Sequence, residues 1–167
     1  MAARGIRMSE GQEKESMEHI FESREQASVA AAERIGQALL RRLDAHGEAS
    51  VVVSGGSSPA GVFAELANTA LPWSGVHVIL SDERWVPADH EDSNEKLVRD
   101  TLLTGEAREA TLLPVYKPIV TIEERCIALN EELRQAPFPF ACALLGMGED
   151  GHFASLFPDA ANLAEGL

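Results

Sequence analysis

No apolar run in this chain approaches the ~20 residues that a membrane-spanning helix needs. The opening segment, MAARGIRMSEGQEKES, also lacks the apolar stretch of a secretory signal. The expectation is therefore a cytoplasmic protein with no membrane partner. Cysteine is scarce: Cys126 and Cys142 form no metal-type pair and are expected to be buried and reduced, with no assigned role. Basic side chains are also in short supply, 14 against 27 acidic ones, for a net charge of −13. That balance argues against nucleic acid as the main partner, and an anionic ligand would need a local site that works against the global field.

What remains is ordinary globular composition, 45% hydrophobic and 25% charged. At 167 residues the chain suits one domain, over residues 15–167, behind a loosely ordered segment 1–14. Between about Met17 and Ala45 the residues Ala31, Ile35, Leu39 and Leu43 recur every fourth position, with Leu40 beside them. This predicts an amphipathic helix ending at Gly47, with Gly36 marking a close packing contact. Three short apolar runs follow, Val51 to Val53, Val76 to Leu80 and Phe140 to Leu145, which suit strands buried on both faces. Helical patterns separate them at Ala60 to Asn68, Glu95 to Leu103 and Thr121 to Gln135. The alternation predicts an α/β domain, a mostly parallel sheet with helices on both faces. Ligands in such sheets sit beyond the carboxyl ends of the strands.

The three loops at that edge read SGGSSP (54–59), SDERWVP (81–87) and GMGEDGHF (146–153). In the first, Gly55 and Gly56 allow a sharp turn and close approach of a ligand, and Ser57 or Ser58 can cap the helix that Pro59 begins. Free N–H groups at a helix N-terminus favour phosphate; a capped turn without ligand stands as the alternative. In the second, Asp82, Glu83 and Arg84 read either as a solvated local ion pair or as a site in which Arg84 grips phosphate or carboxylate and Asp82 aligns hydroxyls. Trp85 covers the pocket or simply packs. Ser93 and Asn94 cap the next helix or brace this loop, and the Ser93–Lys96 match to S-x-x-K lacks its companion motifs.

The third loop contains G-x-G-x-x-G at Gly146, Gly148 and Gly151, but only sixteen residues follow, so the strand and acidic residue of a dinucleotide site are missing. It supplies instead His152 beside Asp150. An imidazole with a carboxylate to fix its tautomer is what a general base requires, and an exposed histidine is the plain alternative. A metal site from Asp82, Glu149, Asp150 and His152 has no diagnostic spacing.

Together, SGGSSP, SDERWVP with Ser93 and Asn94, and LLGMGEDGHFASLFP, in that order, resemble the 6-phosphogluconolactonase family. The resemblance implies a modified Rossmann-like fold and hydrolysis of 6-phospho-D-glucono-1,5-lactone in the oxidative pentose phosphate pathway, with no metal and no organic cofactor. It implies that Gly55, Gly56 and Ser57 hold the phosphate, that Arg84 adds positive charge, and that His152 is the general base. Asp150 would orient His152 or the sugar hydroxyls, Asp82 would line the pocket, and Ser93 and Asn94 would support it. N–H groups of the third loop, Gly148 among them, are the expected donors to the developing oxyanion.

Phe153 stands where the family favours a small hydroxylated residue, and Leu167 falls before several strands and a basic phosphate ligand that family members carry. The chain is thus expected to be incomplete at its C-terminus and to be an oligomer or to be completed by another chain. The related glucosamine-6-phosphate deaminase/isomerase group follows its histidine with an FNEP-like stretch, which SLFP here does not match. A noncatalytic sugar-phosphate-binding module is the reading from a different class.

Overall fold

The computed structural model describes residues 17–161 and 163–166, so the expected loose segment 1–14 lies outside the described residues. Helix α1 runs Arg24–His46. It starts later than the periodicity suggests because Ser23 is extended and its side chain accepts the Gln26 N–H, while Met17 and Ile20 upstream are 70% and 87% exposed. Its end is as read: Gly47, at φ 78°, donates its N–H to the Leu43 carbonyl at 2.7 Å. Ala32, Ile35, Leu39 and Leu43 are buried, whereas Leu40 turns outward at 41% exposure. Burial of each large aliphatic side chain contributes ~1.5–3 kcal/mol. At Gly36 an added Cβ would meet Thr69 Cγ2 at 3.2 Å, so the expected close contact is made by the segment after the next helix.

The remaining order is β1 (Ala49–Val53), α2 (Ser57–Ala67), β2 (Val76–Leu80), α3 (Asn94–Thr101), β3 (Thr111–Leu113), α4 (Ile122–Gln135), β4 (Cys142–Leu144) and the short α5 (Leu163–Gly166). The four strands are parallel in the order β3-β2-β1-β4. Strand β3 is not legible in the sequence. It is only three residues long, is followed at once by Pro114 and shows no long apolar run. Strand β4 is shorter than its apolar run because only Cys142 to Leu144 pair with Val51 to Val53.

Alternate residues Ala49, Val51 and Val53 of β1 and Val76, Val78 and Leu80 of β2 join α1, α2 and α3 in one core. The expectation of strands buried on both faces fails in part: Val52 and His77 are half-buried, and Ala143 at the sheet edge is exposed. Helix α4 carries the chain from β3 at one edge of the sheet to β4 at the other. Cys126, on α4, is exposed rather than buried, and neither cysteine is bridged.

Arg125, 2% exposed, is the residue that fastens α4. Its guanidinium donates to the carbonyls of Pro114 and Val115 and makes paired bonds to Glu132 at 2.8 and 2.9 Å. Those bonds, with Lys117 in second place, hold the Glu132 carboxyl down at about 2 against an ordinary 4.5. The ion pair therefore stabilises the fold fully above the ordinary carboxylate pKa, and its contribution fades as pH falls from about 4.5 towards 2. Glu132→Gln is expected to flatten this part of the acid-unfolding curve while leaving its shape above pH 6 unchanged. Urea titrations across pH 2–7 check it, and parallel curves for the two proteins would remove the pair from acid stability.

Candidate active site

At the carboxyl edge the loops after β1, β2 and β4 leave side by side because the ladder continues into them. The Ser54 N–H donates to the Leu144 carbonyl at 3.1 Å, and the Ser81 N–H donates to the Val53 carbonyl at 2.8 Å. Ser54 Oγ, buried at 4% exposure, accepts the Gly146 N–H at 2.9 Å, a bond between residues 92 apart. The sequence offered no signal for it beyond a serine at a strand end.

Gly55 has a strict steric reason: a Cβ there would fall 1.8 Å from Asn94 Oδ1. Gly56 follows at φ 102° and occupies the cap position of α2. Lacking a side chain, it leaves the helix without a side-chain cap, which corrects the expectation that Ser57 or Ser58 caps it. Both serines are instead the first helical residues, with Pro59 third. Their N–H groups and the positive end of the helix dipole thus remain at the cleft, an arrangement suited to an anion.

In the second loop the carboxylate of Glu83 spans the start of α3. One oxygen accepts the N–H groups of Arg84 and Asn94 at 2.7 and 2.8 Å. The other accepts the Ser93 hydroxyl at 3.0 Å and the Glu95 N–H at 2.7 Å. Ser93 Oγ in turn accepts the Lys96 N–H, and Asn94 Nδ2 donates to the Asp82 carbonyl at 2.9 Å. Capping and bracing are thus one network. Glu83 was the residue missed; its signal was an acidic residue one loop ahead of a Ser-Asn-Glu helix start. Arg84 is exposed, its backbone fixed by Glu83 and its guanidinium donating to the Asp92 carbonyl at 2.6 Å. Trp85 packs edge-on against Tyr116, ring centres 5.1 Å apart, and does not line the cleft.

The third loop is built around His152. A Cβ on Gly148 would lie 2.2 Å from His152 Cε1. The Gly148 N–H donates to the His152 carbonyl at 2.8 Å, and Gly151, at φ 87°, donates to the Gly148 carbonyl at 2.9 Å. His152 Nδ1 lies 2.5 Å from Asp150 Oδ1, which also accepts the His152 N–H. The side-chain bond first, and the backbone bond second, hold the Asp150 carboxyl below the usual carboxylate range. A charged carboxylate on Nδ1 keeps the proton there and leaves Nε2 as the basic nitrogen. The ring also packs on Phe157, centres 4.5 Å apart.

The three loops enclose a cleft of about 240 Å³. Gly55, Gly56, Ser57, Asp82, Arg84 and Asn94 line it from the first and second loops and the start of α3, and Gly148 and His152 from the third. Asp150 and Ser93 stand behind. Two expected contacts are already occupied: the Gly146, Gly148 and Gly151 N–H groups are bonded within the protein, and both Asp82 oxygens accept hydroxyls, from Ser81 at 3.0 Å and Ser155 at 2.7 Å. The Ser57 and Ser58 N–H groups at the start of α2 and the side chain of Arg84 remain as donors beside the cleft. Among the described residues no three His, Cys, Asp or Glu side chains converge as metal ligands would.

Residues 22–166 match the family model described as glucosamine-6-phosphate isomerases/6-phosphogluconolactonase. The chain is 45% identical over 139 residues to 6-phosphogluconolactonase of Pseudomonas aeruginosa, covering 83% of this chain and 58% of that protein. It is 40% identical to the Rhizobium meliloti enzyme of the same name, covering 89% and 64%. A crystal structure of a 6-phosphogluconolactonase from Shewanella baltica superposes with a TM-score of 0.84 at 40% identity, over 88% of this chain and 63% of that one. The chain thus spans about three fifths of the length of these relatives. With matching sequence, sheet and loop order, this chain belongs to the glucosamine-6-phosphate isomerase/6-phosphogluconolactonase family.

Proposed function

We propose that the chain hydrolyses 6-phospho-D-glucono-1,5-lactone to 6-phosphogluconate. The observation that carries this reading is that His152, paired with Asp150, lines the same small cleft as the uncapped N-terminus of α2. The phosphate would sit on the N–H groups of Ser57 and Ser58, with Gly55 and Gly56 giving it room and Arg84 supplying positive charge at the cleft.

His152 Nε2 takes a proton from water as the oxygen bonds to the lactone carbonyl carbon. When the tetrahedral intermediate collapses, the ring C–O bond breaks and the imidazolium returns the proton to the departing ring oxygen, leaving a carboxylic acid and a hydroxyl. No metal or organic cofactor takes part. The relatives at 40–45% identity are named lactonases, which favours this over ring opening with loss of ammonia. The reading carries a cytoplasmic location with it, and no helix among the described residues is long and apolar enough to cross a membrane. A complementing chain, or a second copy, would sit against the open edge of β4, where Phe138 and Leu145 are 74% and 47% exposed.

The test is turnover of freshly made lactone by the purified chain, above spontaneous opening, beside calorimetric binding of 6-phosphogluconate. Turnover is expected, and Arg84→Ala should weaken binding about tenfold, the worth of one charge-assisted contact at an exposed site. Binding without turnover would make the chain a sugar-phosphate module, and neither would sink the reading.

A further inference from the structure

We infer that Ser155 is a positioning residue, a latch that holds the loop of His152 against Asp82. Its catalytic consequence rests on the lactonase reading above. The third loop is tied at its start by the Gly146 N–H on Ser54 Oγ and at its end by the Ser155 hydroxyl on Asp82 Oδ2 at 2.7 Å. His152 lies between the two ties. The turn that brings Ser155 round is strained: Ala154, a cleft residue, sits at φ 49°, and the turn closes through the Leu156 N–H on the Phe153 carbonyl at 3.0 Å. A left-handed residue bearing a Cβ persists where its surroundings hold it, and the bond to Asp82 is the tie from this turn to the rest of the site.

Asp82 is suited to that task because its other oxygen is fixed by Ser81 of its own loop. The carboxylate therefore bridges two loops. Asp82 acts on the reaction through Ser155, by fixing where His152 stands relative to α2, rather than by gripping sugar hydroxyls. One misplaced ångström at a general base is enough to cost orders of magnitude in rate.

Amide hydrogen exchange and lactone kinetics on Ser155→Ala, Ser155→Thr, Asp82→Ala and the Ser155→Ala/Asp82→Ala double variant test the latch. Ser155→Ala is expected to speed exchange at the Gly148 and Leu156 amides about tenfold, with the β1 amides unchanged. It should lower kcat about tenfold with KM within about twofold, and Ser155→Thr should restore both readings. Adding Asp82→Ala to Ser155→Ala should cost little more, since the two share one bond. Unchanged exchange in Ser155→Ala, or losses in kcat that simply multiply in the double variant, overturn the latch. If the parent chain turns over no lactone while exchange responds as stated, the lactonase reading fails and the latch stands.

Discussion

Turnover of the lactone by His152→Ala is expected to fall by roughly 10²–10⁴-fold, the usual worth of a positioned general base, while affinity for 6-phosphogluconate stays within about twofold. The split follows from the geometry. In the proposed reading the phosphate would sit on the start of α2 beside Arg84, neither of which bonds the imidazole among the described residues, whereas proton transfer would depend on His152 Nε2. Asp150 keeps its charge throughout the range in which a histidine titrates, because its carboxyl is held below the ordinary value by the His152 bonds. Asp150→Asn should therefore show a smaller loss than His152→Ala, with the ring still present but its tautomer no longer enforced. Steady-state kinetics with the spontaneous rate subtracted, beside calorimetry, decide the matter. A His152→Ala protein as fast as its parent would take the imidazole out of the mechanism.

Much of this site was legible because strand ends and unusual polar residues coincide along the chain. The three apolar runs became β1, β2 and β4, and each led into a loop that lines the cleft or supports it. The G-x-G-x-x-G pattern had a local reason that no regular expression shows. Gly148 makes room for the His152 ring and Gly151 takes a left-handed turn, both in the service of one histidine.

The bonds between loops escaped the reading. Ser54 to Gly146 and Ser155 to Asp82 join residues 92 and 73 apart, and no periodicity encodes such a pairing. Glu83 looked like half of a solvated ion pair with Arg84; its partners are backbone N–H groups eleven and twelve residues on. The cap assigned to Ser57 or Ser58 failed because the helix begins at Ser57, two residues before Pro59, which puts Gly56, a residue with no side chain to cap, at the cap position. That failure is also what leaves donors for a ligand. Local rules were broken where the site needed free polar groups.

The second large effect is expected at Gly55, which touches no reacting atom in the proposed chemistry. A methyl group there would lie 1.8 Å from Asn94 Oδ1 and 2.3 Å from Asn94 Cγ. Gly55→Ala must therefore either push the first loop off its path or expel the Asn94 side chain, which is 2% exposed and has little room to move. Overpacking of this kind costs ~1–3 kcal/mol, and here it also breaks the Asn94 bond to the Asp82 carbonyl. Loss of stability near the top of that range is expected in urea titrations, with weaker binding of 6-phosphogluconate because α2 starts at the displaced loop. Asn94→Ala alone removes the bond but not the fit. Combined with Gly55→Ala it removes the atoms that clash, so the double variant should be more stable than Gly55→Ala by about 1 kcal/mol, although it carries one more truncation. Simple addition of the two losses would mean that Gly55 and Asn94 do not meet in solution. The glycine would then serve the turn alone, and the contact that sets the first loop against the second would have to lie elsewhere.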